Sequence, residues 1–267
     1  MKRIIFTLLH ADGAYMLSRN FRLQRVGDID WVLTNYRIRE VSLGMDELMI
    51  LDVSRDAADR DRFRREVRIL VEECFVPVTV GGRITSLDEA DRLFDVGADK
   101  VLLNTAFHVD PGLCAKVAGR YGSQALVAGI DVRRQPLEVG HPRVSSSIQP
   151  DGLERHTDRA VDIGAGEILL QSIDRDGTGN GLDLDLADRT ASLQVPLMMM
   201  GGVGHATHFV QGLKHPAVDA VATANLFNFV GDALVRTRSE CRESGISLAD
   251  WGILNVDAVE GLLKDQH

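Results

Sequence analysis

Asp131 ends the run LVAGID, so its carboxylate projects from the last turn of what reads as a buried strand. An ionised carboxylate in apolar surroundings is costly, and one that is kept there serves proton transfer or direct ligand contact. Other groups able to bind a ligand or move a proton fall at the ends of further apolar runs: Asp52, Asn104 with Thr105, Asp174 with Asp176, and Asn225. Such a ring supplies an acid or base and partners for hydroxyls, although Asp174 and Asp176 also read as loop or helix caps. Two glycine pairs, Gly81-Gly82 in PVTVGG and Gly201-Gly202 in PLMMMGG, leave strands of one kind half a chain apart. Glycine at a strand exit lets backbone N–H groups approach an anion, so two such exits fit a ligand with a phosphate at each end. Each pair taken alone equally serves to turn the chain.

A second set stands at the opposite ends of the runs. Arg3, Glu47, Lys100 and Glu167 each take a first strand position, two basic and two acidic. Charges there either face water or, turned inward, pair into a plug that seals an axis or opens to a small molecule.

The elements that must position these groups are eight short apolar runs, at 3–9, 47–53, 76–80, 100–104, 125–131, 167–172, 196–200 and 218–224. Between them lie stretches of helical spacing such as SLDEADRLFDVGA and HVDPGLCAKVAGRYG, whose starts offer Ser86, Asp110 and Pro111 as caps. Parallel strands need such crossovers, and eight of them in 267 residues predict one domain over residues 1–267, an α/β fold of the (β/α)8 TIM-barrel type. A GxGxxG turn after the first strand is lacking, which weighs against an open dinucleotide-binding sheet. LDVSRD and SIDRDG resemble each other as a duplicated half-barrel would make them, or as short strings do by chance.

The formal charge of −9 disfavours nucleic acid as a partner, while leaving room for a local cationic phosphate site. Cys74, Cys114 and Cys241 are odd in number and widely spaced, unlike a disulfide scaffold or a zinc site. The opening MKRIIFTLL is too short for a signal peptide or a membrane span, so cytoplasm is the default. No metal and no cofactor is expected.

KRII, DELMILDV, PVTVGG, GADKVLLNTA, GIDVRR, GAGEILLQSIDRDGT and FNF together resemble the cyclase subunit of imidazole glycerol phosphate synthase, along essentially the whole chain. The resemblance implies a barrel that binds a bis-phosphorylated ribulosyl-aminoimidazole nucleotide on its top face. Ammonia reaches it along the axis from a glutaminase subunit docked below. It further implies that Arg3, Glu47, Lys100 and Glu167 form the ammonia gate, with Asp99 beside them at the partner interface. One phosphate site matches Gly81, Gly82, Asn104 and Thr105, and the other Gly201, Gly202, Ala224 and Asn225.

The top face departs from the family. Of the two essential aspartates one is kept as Asp131, but the other falls on Leu9, which can neither transfer nor hold a proton. The lysine of the first loop falls on Leu17, the third glycine of the strand-three turn is Arg83, and two serines are replaced by Met200 and Asn225. His10 and Asp12 stand near Leu9 as substitutes, yet period-2 alternation puts His10 out of phase. Residues 135–150, in place of the family's β-hairpin, read as an irregular loop over the mouth.

An intact inlet beneath a degraded cyclase site resembles the barrel homologues that work beside a glutaminase and a sugar amidotransferase in surface-polysaccharide synthesis. The expectation is therefore an ammonia relay. A histidine-pathway cyclase and a non-catalytic phosphate-binding subunit are the alternatives.

Overall fold

The computed structural model describes residues 1–36, 38–54, 59–134, 152–225, 227–229 and 232–250, and the backbone of 137–139. Its strands are β1 (Arg3–Ala11), β2 (Ala14–Arg19), β3 (Arg22–Gly27), β4 (Glu47–Asp52), β5 (Val78–Gly81), β6 (Lys100–Leu103), β7 (Leu126–Arg134), β8 (Leu137–Val139), β9 (Glu167–Ser172), β10 (Leu197–Met200) and β11 (Ala220–Thr223). The eight apolar runs become β1, β4, β5, β6, β7, β9, β10 and β11, each parallel to the next, and β11 pairs with β1 to close the barrel. Helices follow the strands, among them Arg60–Glu72, Leu87–Asp95, Pro111–Tyr121 and Ala206–Lys214. Ser86 accepts the Glu89 N–H at 3.1 Å and Asp110 that of Leu113 at 3.0 Å, ahead of Pro111, as cap chemistry requires.

Alternation along the strands sorts the apolar residues into two cores. One lies between strands and helices, with Ile4, Phe6, Leu8, Ile50 and Val101. The other fills the barrel itself with Ile5, Leu9, Met49, Leu51, Leu102, Val127, Leu169, Met198 and Met200. Three aspartates fasten the bottom of the sheet in one way. Asp46 brackets Ile4, Asp99 brackets Val78 and Asp219 brackets Leu197, each carboxylate accepting the neighbouring strand's N–H at 2.7–3.0 Å while its own N–H returns to the same residue's carbonyl.

Two departures from the sequence reading concern the mouth. β1 runs on to Ala11 and turns directly into the antiparallel ribbon β2–β3, which the apolar pattern did not announce. Within the segment read as irregular, β8 is ordered, pairing antiparallel with β7 through Val132↔Val139, because the end of β7 extends beyond the barrel and offers a free edge. The remainder of 135–150, like Arg55 and Asp56 of LDVSRD, lies outside the described residues. Among the described residues no helix is long and apolar enough to cross a membrane.

Candidate functional site

A cavity of 1080 Å³ opens at the carboxyl ends of the strands, where barrel chemistry is ordinarily placed. Leu9, Leu51, Leu102 and Leu169 give it an apolar floor, while Asp131, Asn104 and Gln171 add polar groups. Asp131 is 5% exposed and accepts a hydrogen bond from Asn104 Nδ2 at 3.0 Å. Burial pushes its carboxyl up to about 7; the Asn104 hydrogen bond pulls the other way and the charge of Asp176 adds to the rise. A group titrating there can give or take a proton near neutrality. Asn104 Oδ1 is buried without a protein partner, which leaves an acceptor beside Asp131 for a ligand donor. Gln171 carried no signal in the sequence beyond its inward phase on β9.

Leu9 lies in the same lining as Asp131, buried among leucines. His10 faces away from the cavity, packing against Tyr15 and Phe63 with Nε2 3.4 Å from Glu66 of the helix Arg60–Glu72. Asp12 is exposed in the turn to β2, its N–H donating to Ser54 Oγ. Neither residue lines the cavity. Leu17 packs toward the helix-side core. Asp52 also lines the cavity but is bound to Arg60 at 2.5 Å and caps the Ser54 N–H.

The glycine pairs are required by their surroundings. Gly82 and Gly202 have φ of +92° and +93°, and a Cβ on either would lie 2.0 Å from the Asp52 carbonyl oxygen or 2.2 Å from that of Gly181. The next residue, Arg83, takes φ +57°, a conformation that costs an L-residue roughly 1–2 kcal/mol. Gly82, Asn104 and Thr105 line the cavity, whereas Gly201, Gly202, Ala224 and Asn225 do not. Asn225 uses its carboxamide oxygen to accept the Asn228 N–H.

The ribbon β2–β3 closes down between these two halves of the mouth. Asp176 is buried and accepts from Ser18 Oγ at 2.6 Å and from the Phe21 N–H at 2.9 Å, and its carbonyl accepts from Asn20. Asp174 is exposed and accepts the Arg134 N–H. Ser18, Phe21 and Leu23 thereby line the cavity from above.

At the opposite end of the barrel the four charged residues form a closed ring. Arg3 bonds Glu47 at 2.9 Å and Glu167 at 3.1 Å, and Lys100 bonds the same two carboxylates at 2.8 and 3.1 Å. Thr79, which the sequence reading missed, donates to Glu47 Oε1 at 2.6 Å; only its inward phase on β5 could have found it. Burial opposes the Arg3 cation, yet Glu167 and Glu47 outweigh it and hold its pKa above the ordinary value. The ring is electrically balanced, which offsets the cost of desolvating its members. Asp99 lies beside it, exposed, and brackets the start of β5 as described. Between ring and cavity the lumen is apolar except for the Thr7 hydroxyl, which is buried without a partner.

The chain is thus a closed (β/α)8 barrel with a paired charged ring at one end and a carboxylate-bearing cavity at the other. The chain belongs to the family described as Histidine biosynthesis protein, which it matches over residues 32–231. It is 45% identical over 262 residues, 95% of this chain and 96% of the relative, to a protein of Parasynechococcus marenigrum provisionally designated imidazole glycerol phosphate synthase subunit hisF2. Imidazole glycerol phosphate synthase subunit HisF of Streptococcus mutans serotype c is 35% identical, covering 92% of this chain and 98% of that protein. The corresponding subunit of Chlorobium limicola is 37% identical, with 92% and 97% covered.

Proposed function

We propose that this chain is the cyclase-like barrel subunit of a glutamine-dependent ammonia-transfer complex, working in the cytoplasm with a glutaminase docked on the amino-terminal face of its strands. Ammonia enters past Arg3, Glu47, Lys100 and Glu167, travels the apolar lumen and emerges in the cavity under β2–β3. An apolar path favours the neutral, reactive form over ammonium and keeps it from bulk water. The ammonia then passes to a sugar amidotransferase of surface-polysaccharide synthesis. The observation that carries this reading is the pairing of a complete charged ring with a cavity in which Leu9 stands where the family's acid–base partner of Asp131 would be. The second reading, a histidine-pathway cyclase forming imidazole glycerol phosphate, is favoured by the names of the relatives at 35–37% identity.

Co-purification with the glutaminase encoded beside it, followed by separate assays of glutamine hydrolysis and nitrogen transfer, tests the reading. Lys100→Met leaves the two carboxylates with Arg3 alone and is expected to change the ratio of the two rates. Failure to form a complex, or an unchanged ratio, would reduce the ring to a structural feature.

A further inference from the structure

Along β1 the barrel interior receives Arg3 in the charged ring, then Ile5, and at the cavity floor Leu9. Thr7 keeps the same phase, so it too faces the interior. At ~3.3 Å per residue it stands about 13 Å along the strand from Arg3 and about 7 Å from Leu9. It is fully buried, and its hydroxyl has no hydrogen-bond partner among the described residues. A buried hydroxyl that bonds nothing is costly, and valine would fill the same shape without that cost. On one side its partner in register is Met49 of β4, whose thioether is only a weak acceptor.

The other side carries the least side-chain bulk in the lumen's inner core. β1, β4, β6, β7, β9 and β10 fill that core with isoleucine, leucine, methionine and valine, whereas β11 brings Ala220 and Ala222. These two stand beside Arg3 and Ile5 in the parallel pairing of β11 with β1. Ala224 packs against the same core at the next inward position. The seam between the two strands is thus lined by alanine methyl groups from the charged ring up towards Thr7.

We propose that Thr7 is a holding point for ammonia inside the barrel, reached from the ring along the alanine-lined seam of β1 and β11, its hydroxyl donating to the ammonia lone pair. This rests on the ammonia-transfer reading for the source of the ammonia, and it names the group that receives it on the way. The chemistry of the place selects ammonia over its two rivals. Ammonium needs a counter-charge, and the inner core between ring and cavity floor is apolar. An ordered water needs roughly two to four polar partners, and this place offers one. Ammonia has a single lone pair to satisfy and hydrogens that donate weakly, so one hydroxyl serves it.

Methyl NMR of the full-length barrel without partners, labelled in alanine and threonine, tests the assignment. The probe is ammonium chloride at pH 9, where part of the ammonium is neutral, with sodium chloride at matched ionic strength as the reference. The Thr7 methyl, identified by its loss in Thr7→Val, and the Ala222 methyl are expected to shift with ammonium chloride at pH 9 and to stay still at pH 6. In Thr7→Val the initial slope of the Ala222 shift is expected to fall roughly three- to tenfold, the worth of one neutral hydrogen bond. Thr7→Ser, which keeps the hydroxyl, is expected to respond as the wild type does. A wild-type titration without these shifts, an equal slope in Thr7→Val, or an equal response at pH 6 would overturn the proposal. A bound water on the Thr7 hydroxyl that ammonia leaves undisturbed would overturn it too, giving the site to water. The titration needs no glutaminase. Shifts present with an unchanged Lys100→Met rate ratio would therefore count against the relay alone, and shifts absent with that ratio altered against Thr7 alone.

Discussion

Purified barrel supplied with saturating ammonium and the ribulosyl-aminoimidazole precursor of the cyclase reaction is expected to give negligible imidazole product. Ring closure with loss of a leaving group needs protons both removed and delivered. On the proposed reading Asp131 takes one of these roles, while Leu9, in the same lining, has no group with which to take the other. His10 cannot step in, since it is buried behind the wall against Phe63 and Glu66, and Asp12 is outside the lining. Losing one positioned acid or base typically costs ~10²–10⁴-fold. Leu9→Asp should regain a factor in that range if the rest of the site is competent. An unchanged rate in that variant would indict Leu17, Met200 or Asn225 as further lesions. A wild-type rate of ~1 per second or more, ordinary for enzymes, would sink the relay reading and leave the histidine-pathway cyclase in its place.

The second large effect is on stability. Asp131 binds its proton more tightly in the folded chain, where its pKa is about 7, than in the unfolded chain, where an aspartate has its ordinary value of 3.8. Its contribution is therefore complete below about pH 4, declines as pH rises towards 7, and is level above that. At about 1.4 kcal/mol per pH unit across that window, the decline comes to roughly 4 kcal/mol. Asp131→Asn carries no ionisable group, so against wild type it should gain roughly 4 kcal/mol at pH 8 and almost nothing at pH 4. Urea unfolding of both proteins at several pH values reads the difference directly. Parallel curves would mean that a counter-charge or water stabilises the carboxylate, and Asp131 would lose its standing as a neutral-pH proton carrier.

The strands were legible because buried parallel strands write themselves as continuous apolar runs, as in LMILDV and PLMMMGG. Ser86 and Asp110 were legible for a local reason, since a cap depends only on the next three residues. The ribbon β2–β3 was not. Its strands AYMLSR and RLQRVG are polar towards the tip, and its turn sets Asn20 and Phe21 at positive φ without a glycine to mark it. What holds it is tertiary, the carboxylate of Asp176 far along the chain. The same limit applied to the site. Asp131 could be singled out from its place on a strand, whereas the engagement of Asp176, the isolation of the second glycine pair and the help given by Thr79 depend on which strands become neighbours.

The charged ring has a topological property. Each cation touches both carboxylates and each carboxylate touches both cations, so the four contacts form a cycle. Cutting a cycle once leaves a chain with every member still attached. Lys100 can let go of Glu167 while holding Glu47, and Arg3 continues to join the two carboxylates. One side chain can thus change its grip with the strands at rest and no charge left without an opposite partner.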